Sequence, residues 1–194
     1  MFNEEQLKLE RRRNVRWAVL LYGVMLFVAW GMRAAYTGEI FYVDDLGIPP
    51  WGPMLVAVLG SLAVLAVSPR MERWQWVHKI ARTVREVFGP LPVRRAALLG
   101  TASGTAEEAL FRGALQLMLG PYIATVLFAI LHGFGWWGLF ALIMGAGLAA
   151  LYAWGDNLWP CIVAHVLINS VNLRRISYSH VEPEARRDSS PVAG

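Results

Sequence analysis

Three short stretches of the chain set ionisable or amide side chains inside apolar sequence. They are Glu107-Glu108-Ala-Leu-Phe-Arg112, Phe128-Ala-Ile-Leu-His132 and His165-Val-Leu-Ile-Asn169. Carboxylates and imidazoles move protons, and imidazole and amide N–H groups stabilise a developing negative charge. Residues four apart on a helix share a face, so Glu108 and Arg112 are placed to pair. Glu107 is rotated about 100° away from that pair. The arrangement gives Glu108 a structural charge and leaves Glu107 for proton transfer. His165 and Asn169 share a face by the same spacing, as do Phe128 and His132.

The elements that must hold these groups are membrane-spanning helices. Of 194 residues, 56% are hydrophobic and only 16% charged, and mean hydropathy is +0.42. Soluble domains carry about 25% charged residues, and a spanning helix needs about 20 mostly apolar ones. Apolar runs at 17–36, 50–67, 96–119, 122–134 and 136–154, and a last one ending near Leu173, predict about six transmembrane helices. In the stretch 68–89 basic and aromatic residues alternate instead, which predicts an amphipathic helix lying in the interface, about 69–88. The expected fold class is therefore an all-α integral membrane protein. A basic N-terminus (1–16) precedes a single membrane domain (17–173, motifs at 107–169), and a polar tail (174–194) follows.

Threading six helices up and down puts 16 of the 18 basic residues on one side, from Lys8 and Arg11 through Arg70, Lys79 and Arg95 to Arg187; Arg33 and Arg112 are the others. The opposite side shows Glu39, Asp44, Asp45 and Asp156. Basic flanks stay cytoplasmic, so both termini are expected there. An Arg-rich, Lys-poor composition and short loops fit a multi-pass protein of a prokaryotic plasma membrane. The first run is too long for a signal peptide, and Arg33 spoils a cleavage site, so a retained anchor is expected. Trp136, Trp137, Trp154 and Trp159 read as interface anchors, and Cys161 as an inert buried thiol. No nucleic-acid module is visible despite the positive charge.

Depth brings the motifs together. Glu107 lies 13 residues before the Gly120-Pro121 turn and His132 lies 12 after Gly120, so both are about 17–20 Å from it at 1.5 Å per residue. His165 and Asn169 fall within a turn of that level. Ionisable groups at such depth each cost at least ~2.5–3.5 kcal/mol and mark functional sites by default.

With these motifs the chain resembles the family of CAAX prenyl endopeptidases and bacteriocin-processing membrane proteases. Its pattern is Glu-Glu-x-x-x-Arg, then Phe-x-x-x-His, then His-x-x-x-Asn or Asp, and the resemblance spans roughly residues 90–173. It implies a glutamate-dependent intramembrane endopeptidase acting within the lipid bilayer on a membrane-associated protein or peptide. It makes Glu107 the catalytic acid–base residue, supported by Glu108 and Arg112, with His132 as its first histidine and His165 and Asn169 as its last pair. Water activation then falls to Glu107 with His132, and oxyanion stabilisation to His165 and Asn169. No cofactor is expected. The alternative is zinc held by Glu107, His132 and His165, although no His-Glu-x-x-His helix is present. A serine protease built on Ser103 would leave Glu107, Glu108 and His132 without a role; small residues at Gly100, Ser103 and Gly104 more simply permit close helix approach. Two readings stand outside proteolysis. One is a non-catalytic membrane protein, either a proton-coupled carrier or a bacteriocin-immunity-type partner. The other is a purely structural Glu108–Arg112 pair with histidines as packing donors. The substrate stays open among prenylated peptides, bacteriocin leaders and C-terminal sorting tails.

Overall fold

The computed structural model describes residues 4–38 and 45–179. Every regular element among them is helical, and the protein is an all-α membrane protein. In chain order the helices are α1 (Glu4–Thr37), α2 (Trp51–Met71), α3 (Gln75–Phe88), α4 (Val93–Leu110), a π-helical turn (Phe111–Leu115), α5 (Gln116–Leu119), α6 (Pro121–His132), α7 (Trp136–Gly155) and α8 (Leu158–Tyr178). The outer-side acids Glu39 and Asp44, His180, and residues 180–194 with Arg186 and Arg187 lie outside the described residues.

Three helices, α1, α2 and α7, are long and apolar enough to cross a membrane, and α6 is apolar but short. Their outer faces expose Leu20, Leu21 and Phe27 on α1, and Leu55, Leu59 and Leu62 on α2, the surface hydrocarbon accepts. Six spans were expected; α4–α5 and α8 fall short on composition because they carry the polar motifs. These two form the most extensive helix pair, with α1 covering α4 and α2 covering α8. Their polar faces are thereby turned inward, as intramembrane charges require. The α6–α7 hairpin packs beside them, and α3 lies against α8, α1 and α7.

Close approach of α4 to α8 depends on two missing side chains. A Cβ on Gly104 would stand 2.9 Å from the Val166 backbone nitrogen, and one on Gly100 would stand 2.6 Å from that of Ser170. Neither separation is met by real Cβ atoms, so only glycine lets the backbones meet here.

The two ends of the bundle are fastened differently. At one end Asn14 Nδ2 donates to Val87 O (2.7 Å), the Leu91 amide donates to Ser177 Oγ (3.0 Å), and Glu72 pairs with Arg175 (2.5 Å). Val15, Leu91, Ala96 and Leu99 form the apolar cluster beneath. This is the basic end anticipated from charge. At the other end Arg33 is paired with Asp45 at 2.5 Å, both buried, and Tyr152 Oη donates to Asp45 Oδ1 at 3.1 Å. Trp159 Nε1 donates to Leu46 O (3.1 Å), so this indole secures a loop as well as marking an interface.

Three boundaries differ from those read in the sequence. Helix α1 runs unbroken through residue 17, because nothing between Glu4 and Arg16 disfavours helix. Helix α2 continues through Pro69, where Ser68 Oγ bonds Val64 O and Arg70 bonds Ala66 O; α3 consequently starts at Gln75 rather than 69. Helix α8 runs to Tyr178, five residues beyond Leu173. Its polar end is not free: Arg175 and Ser177 are both bonded into the bundle.

Candidate active site

The predicted residues converge from three helices. Glu107 and Glu108 lie in the last turn of α4, Arg112 in the π turn, His132 at the end of α6, and His165 and Asn169 in the middle of α8. A π turn at this place is a common companion of functional sites. Its Gly113 carbonyl accepts from Arg33 Nη1 at 3.0 Å, so the far-end cation reaches back to the segment that carries Arg112.

Glu108 and Arg112 pair as their spacing predicts, Nη1 to Oε1 at 3.1 Å, with both side chains essentially inaccessible (0% and 1%). Arg112 Nη2 donates to Gly145 O at 2.9 Å, and its guanidinium lies 4.7 Å from the Phe128 ring centroid. A Cβ on Gly145 would touch Phe128 at 3.0 Å, so glycine admits the ring and the guanidinium side by side. The same Glu108 Oε1 accepts a 2.6 Å bond from His165 Nδ1. Glu108 therefore bridges an arginine and a histidine, and His165 has its Nε2 directed elsewhere.

That direction is toward Glu107. His165 Nε2 and His132 Nε2 lie 3.7 and 3.6 Å from Glu107 Oε2. His132 is set by a second bond, from Nδ1 to Phe128 O at 2.8 Å; a carbonyl only accepts, so Nδ1 carries the proton and Nε2 faces the carboxylate. The side chain of Glu107 is 12% exposed, and its Oε2 has no hydrogen-bond partner among the described residues. Separations of 3.6–3.7 Å are too long for direct hydrogen bonds and leave the three groups to meet through a shared small molecule such as water. Among the described residues, no group of three or more His, Cys, Asp or Glu side chains is arranged to hold a metal ion.

Asn169 sits one turn further along α8. Its Nδ2 donates to Ser103 Oγ at 3.0 Å, and Ser103 Oγ donates to Gly100 O at 3.3 Å. Ser103, weighed above as a nucleophile or a packing residue, instead orients the amide, and among the described residues no hydrogen bond joins it to a histidine. It stands four residues before Glu107, the one signal in the sequence that could have assigned it to this face.

Glu107, His132 and Asn169 line a cavity of about 310 Å³ whose other walls include Tyr22 of α1, Trp76 of α3 and Trp137 of α7. Trp137 was expected as an interface anchor alone; it is half-buried, and its ring lies 5.8 Å from that of His132. Nothing in the local sequence distinguishes it from its exposed neighbour Trp136, because only the turn into α7 decides which indole faces inward. Tyr22 had no signal either, since it lies in an apolar span far from the motifs. Cys161 is buried, as expected.

Comparison with known proteins bears on the same half of the chain. Residues 89–171, somewhat under half of the sequence, match the family model described as type II CAAX prenyl endopeptidase Rce1-like. A relative from Bacillus subtilis (strain 168), described as uncharacterized protein YpbD, is 29% identical over 136 residues, covering 66% of this chain and 70% of its own length. No solved structure matches significantly. The matched segment holds all three motifs, whereas the cavity walls from α1, α2, α3 and the last turns of α8 lie outside it. The resemblance read from the motifs is thus borne out: residues 89–171 are similar to a CAAX-type intramembrane protease family.

Proposed function

We propose that the protein is an intramembrane endopeptidase that hydrolyses a peptide bond of a membrane-associated protein or peptide, without a metal ion. The observation that carries this is the unbonded Glu107 Oε2 facing two histidine Nε2 atoms across 3.6–3.7 Å. A water held among them is within reach of a base on each side. Glu107, assisted by His132, takes a proton as the water oxygen bonds to the scissile carbonyl carbon. When the C–N bond breaks, that proton passes to the leaving nitrogen. The oxyanion formed in between is met by the second N–H of Asn169 Nδ2 and by His165 Nε2–H when that ring is protonated, with its Nδ1 held by Glu108. Glu108 and Arg112 position and do not touch substrate.

The substrate enters through the 310 Å³ cavity, whose lining extends to Glu72, Val84 and Ile176 at the basic end. On the charge rule that end faces the cytoplasm, so substrates approach from the cytoplasmic leaflet of a prokaryotic plasma membrane. The partners are then the bilayer and the peptide, with no nucleic acid.

The test compares peptides released from membranes holding wild-type protein, Glu107→Gln or His132→Ala, read by mass spectrometry. Products missing from both variants are expected; products persisting with Glu107→Gln exclude the assignment. Activity that survives exhaustive chelation is expected as well. Loss on chelation with recovery on adding zinc would shift Glu107, His132 and His165 to the role of zinc ligands.

A further inference from the structure

A second concavity adjoins the cavity and shares one wall with it. It has a volume of about 570 Å³ and is lined by Arg73, Trp74, Gln75, Trp76, Lys79 and Trp136. Trp76 lines both spaces. From there an aromatic path leads to the chemistry: Trp76 to Trp137 is 5.8 Å between centroids, and Trp137 to His132 is another 5.8 Å. Trp74 continues the row outward, 5.9 Å from Trp76.

The two cations here differ from others nearby. Arg85 is bonded to Ser179 O and Arg175 to Glu72, whereas no side-chain hydrogen bond or ion pair among the described residues engages Arg73 or Lys79. They are exposed, beside three indoles, and no acid among the described residues lines the pocket. Two unpaired cations in an aromatic concavity favour an anionic ligand presented on an extended backbone, since the indoles supply flat apolar contact and the cations supply charge. The shared Trp76 wall sets the pocket directly beside the cavity, so a peptide held in the cavity has the pocket within reach. A lipid headgroup would need only the exposed side of α3.

We propose that the pocket lined by Arg73, Lys79 and Trp76 is a specificity site that binds an acidic stretch of the substrate, about four residues from the scissile bond. The spacing is taken from the two ring-to-ring steps of 5.8 Å, a path of at most about 12 Å from His132 to Trp76, which an extended chain rising ~3.3 Å per residue covers in up to about four residues. The inference rests on the peptidase reading for the word substrate, but its test is a binding measurement that needs no hydrolysis.

The probes are two synthetic peptides with the same apolar core, one followed after four residues by three Glu and the other by three Gln. Binding to the full-length purified Glu107→Gln variant, in a zwitterionic detergent, is read from tryptophan fluorescence. The Glu peptide is expected to bind roughly three- to tenfold more tightly at low salt, the range two partly exposed ion pairs supply. That preference should vanish with Arg73→Gln/Lys79→Gln, persist with Arg73→Lys/Lys79→Arg, and fade in about 0.5 M salt. Equal affinities for the two peptides would overturn the proposal. So would a wild-type preference unchanged by the double substitution. A short-chain phosphatidylglycerol that binds through Arg73 and Lys79, without peptide discrimination, would assign the pocket to lipid and overturn it too. If discrimination holds while the membrane assay yields no products, the acidic-peptide site stands and the hydrolytic reading falls.

Discussion

Neighbouring glutamates Glu107 and Glu108 should respond oppositely to the same isosteric change. Glu108 is fully buried and its Oε1 accepts from both Arg112 Nη1 (3.1 Å) and His165 Nδ1 (2.6 Å). Glu108→Gln keeps the shape and an acceptor oxygen but removes the charge, leaving a guanidinium that is 1% exposed without a counter-ion, held by an amide oxygen, the Gly145 carbonyl and the Phe128 face. Breaking a buried pair from one side costs about 3–5 kcal/mol, roughly a hundred- to several-thousand-fold in the folding equilibrium. Glu107→Gln removes no hydrogen bond, since its histidine neighbours stand at 3.6 and 3.7 Å, and should cost at most about 1 kcal/mol. Unfolding in mixed micelles, followed by the fluorescence of the nine tryptophans, measures both. Cleavage should be lost in each variant, but only Glu107→Gln should be lost while folded. Equal destabilisation by the two substitutions, or the larger loss at Glu107, would refute the division into a positioning and a reacting carboxylate.

Other outcomes follow from contacts described above. Gly104→Ala should destabilise by about 1–3 kcal/mol through forced separation of α4 and α8, whereas Gly60→Ala, inside α2 with nothing within 4 Å of the new Cβ, should leave stability in the same unfolding assay unchanged or raise it by up to about 1 kcal/mol. Asn169→Ala should lower kcat about 10²–10³-fold if its amide meets the oxyanion. Ser103→Ala, which only frees that amide to rotate, should lower kcat by a smaller factor, with folding changed by about 1 kcal/mol. Arg33→Met leaves Asp45 buried without its 2.5 Å partner and should cost about 3–5 kcal/mol in the same micelle assay.

The meeting of the three motifs was legible in the sequence because helix rise and turn positions set depth, and depth alone places Glu107, His132 and His165 on one level. Pairing within a helix was equally readable, as Glu108 and Arg112 show. Contacts between helices were not. Four-residue spacing says that His165 and Asn169 share a face but not which residue that face meets, so the His165–Glu108 bond and the Ser103–Asn169 bond came only with the fold. Arg33 was noted as a charge that spoils a cleavage site; its pairing with Asp45 and Gly113 needs a loop and a π turn that leave no periodic mark. Polarity at residues 174–178 suggested a tail, because composition cannot tell a solvated arginine from one clasped by Glu72.

Helix α1 has a consequence beyond anchoring. At 1.5 Å per residue its 34 residues reach about 51 Å, well past a hydrocarbon core about 30 Å thick. The excess is not idle: Asn14 grips Val87, and Val15 is seated among Leu91, Ala96 and Leu99. The charged turns before Trp17 thus serve as a strut against the end of α3, one of the walls of the cavity that holds Glu107. The placing of that wall is then tied to a stretch whose composition suggested only a basic terminus.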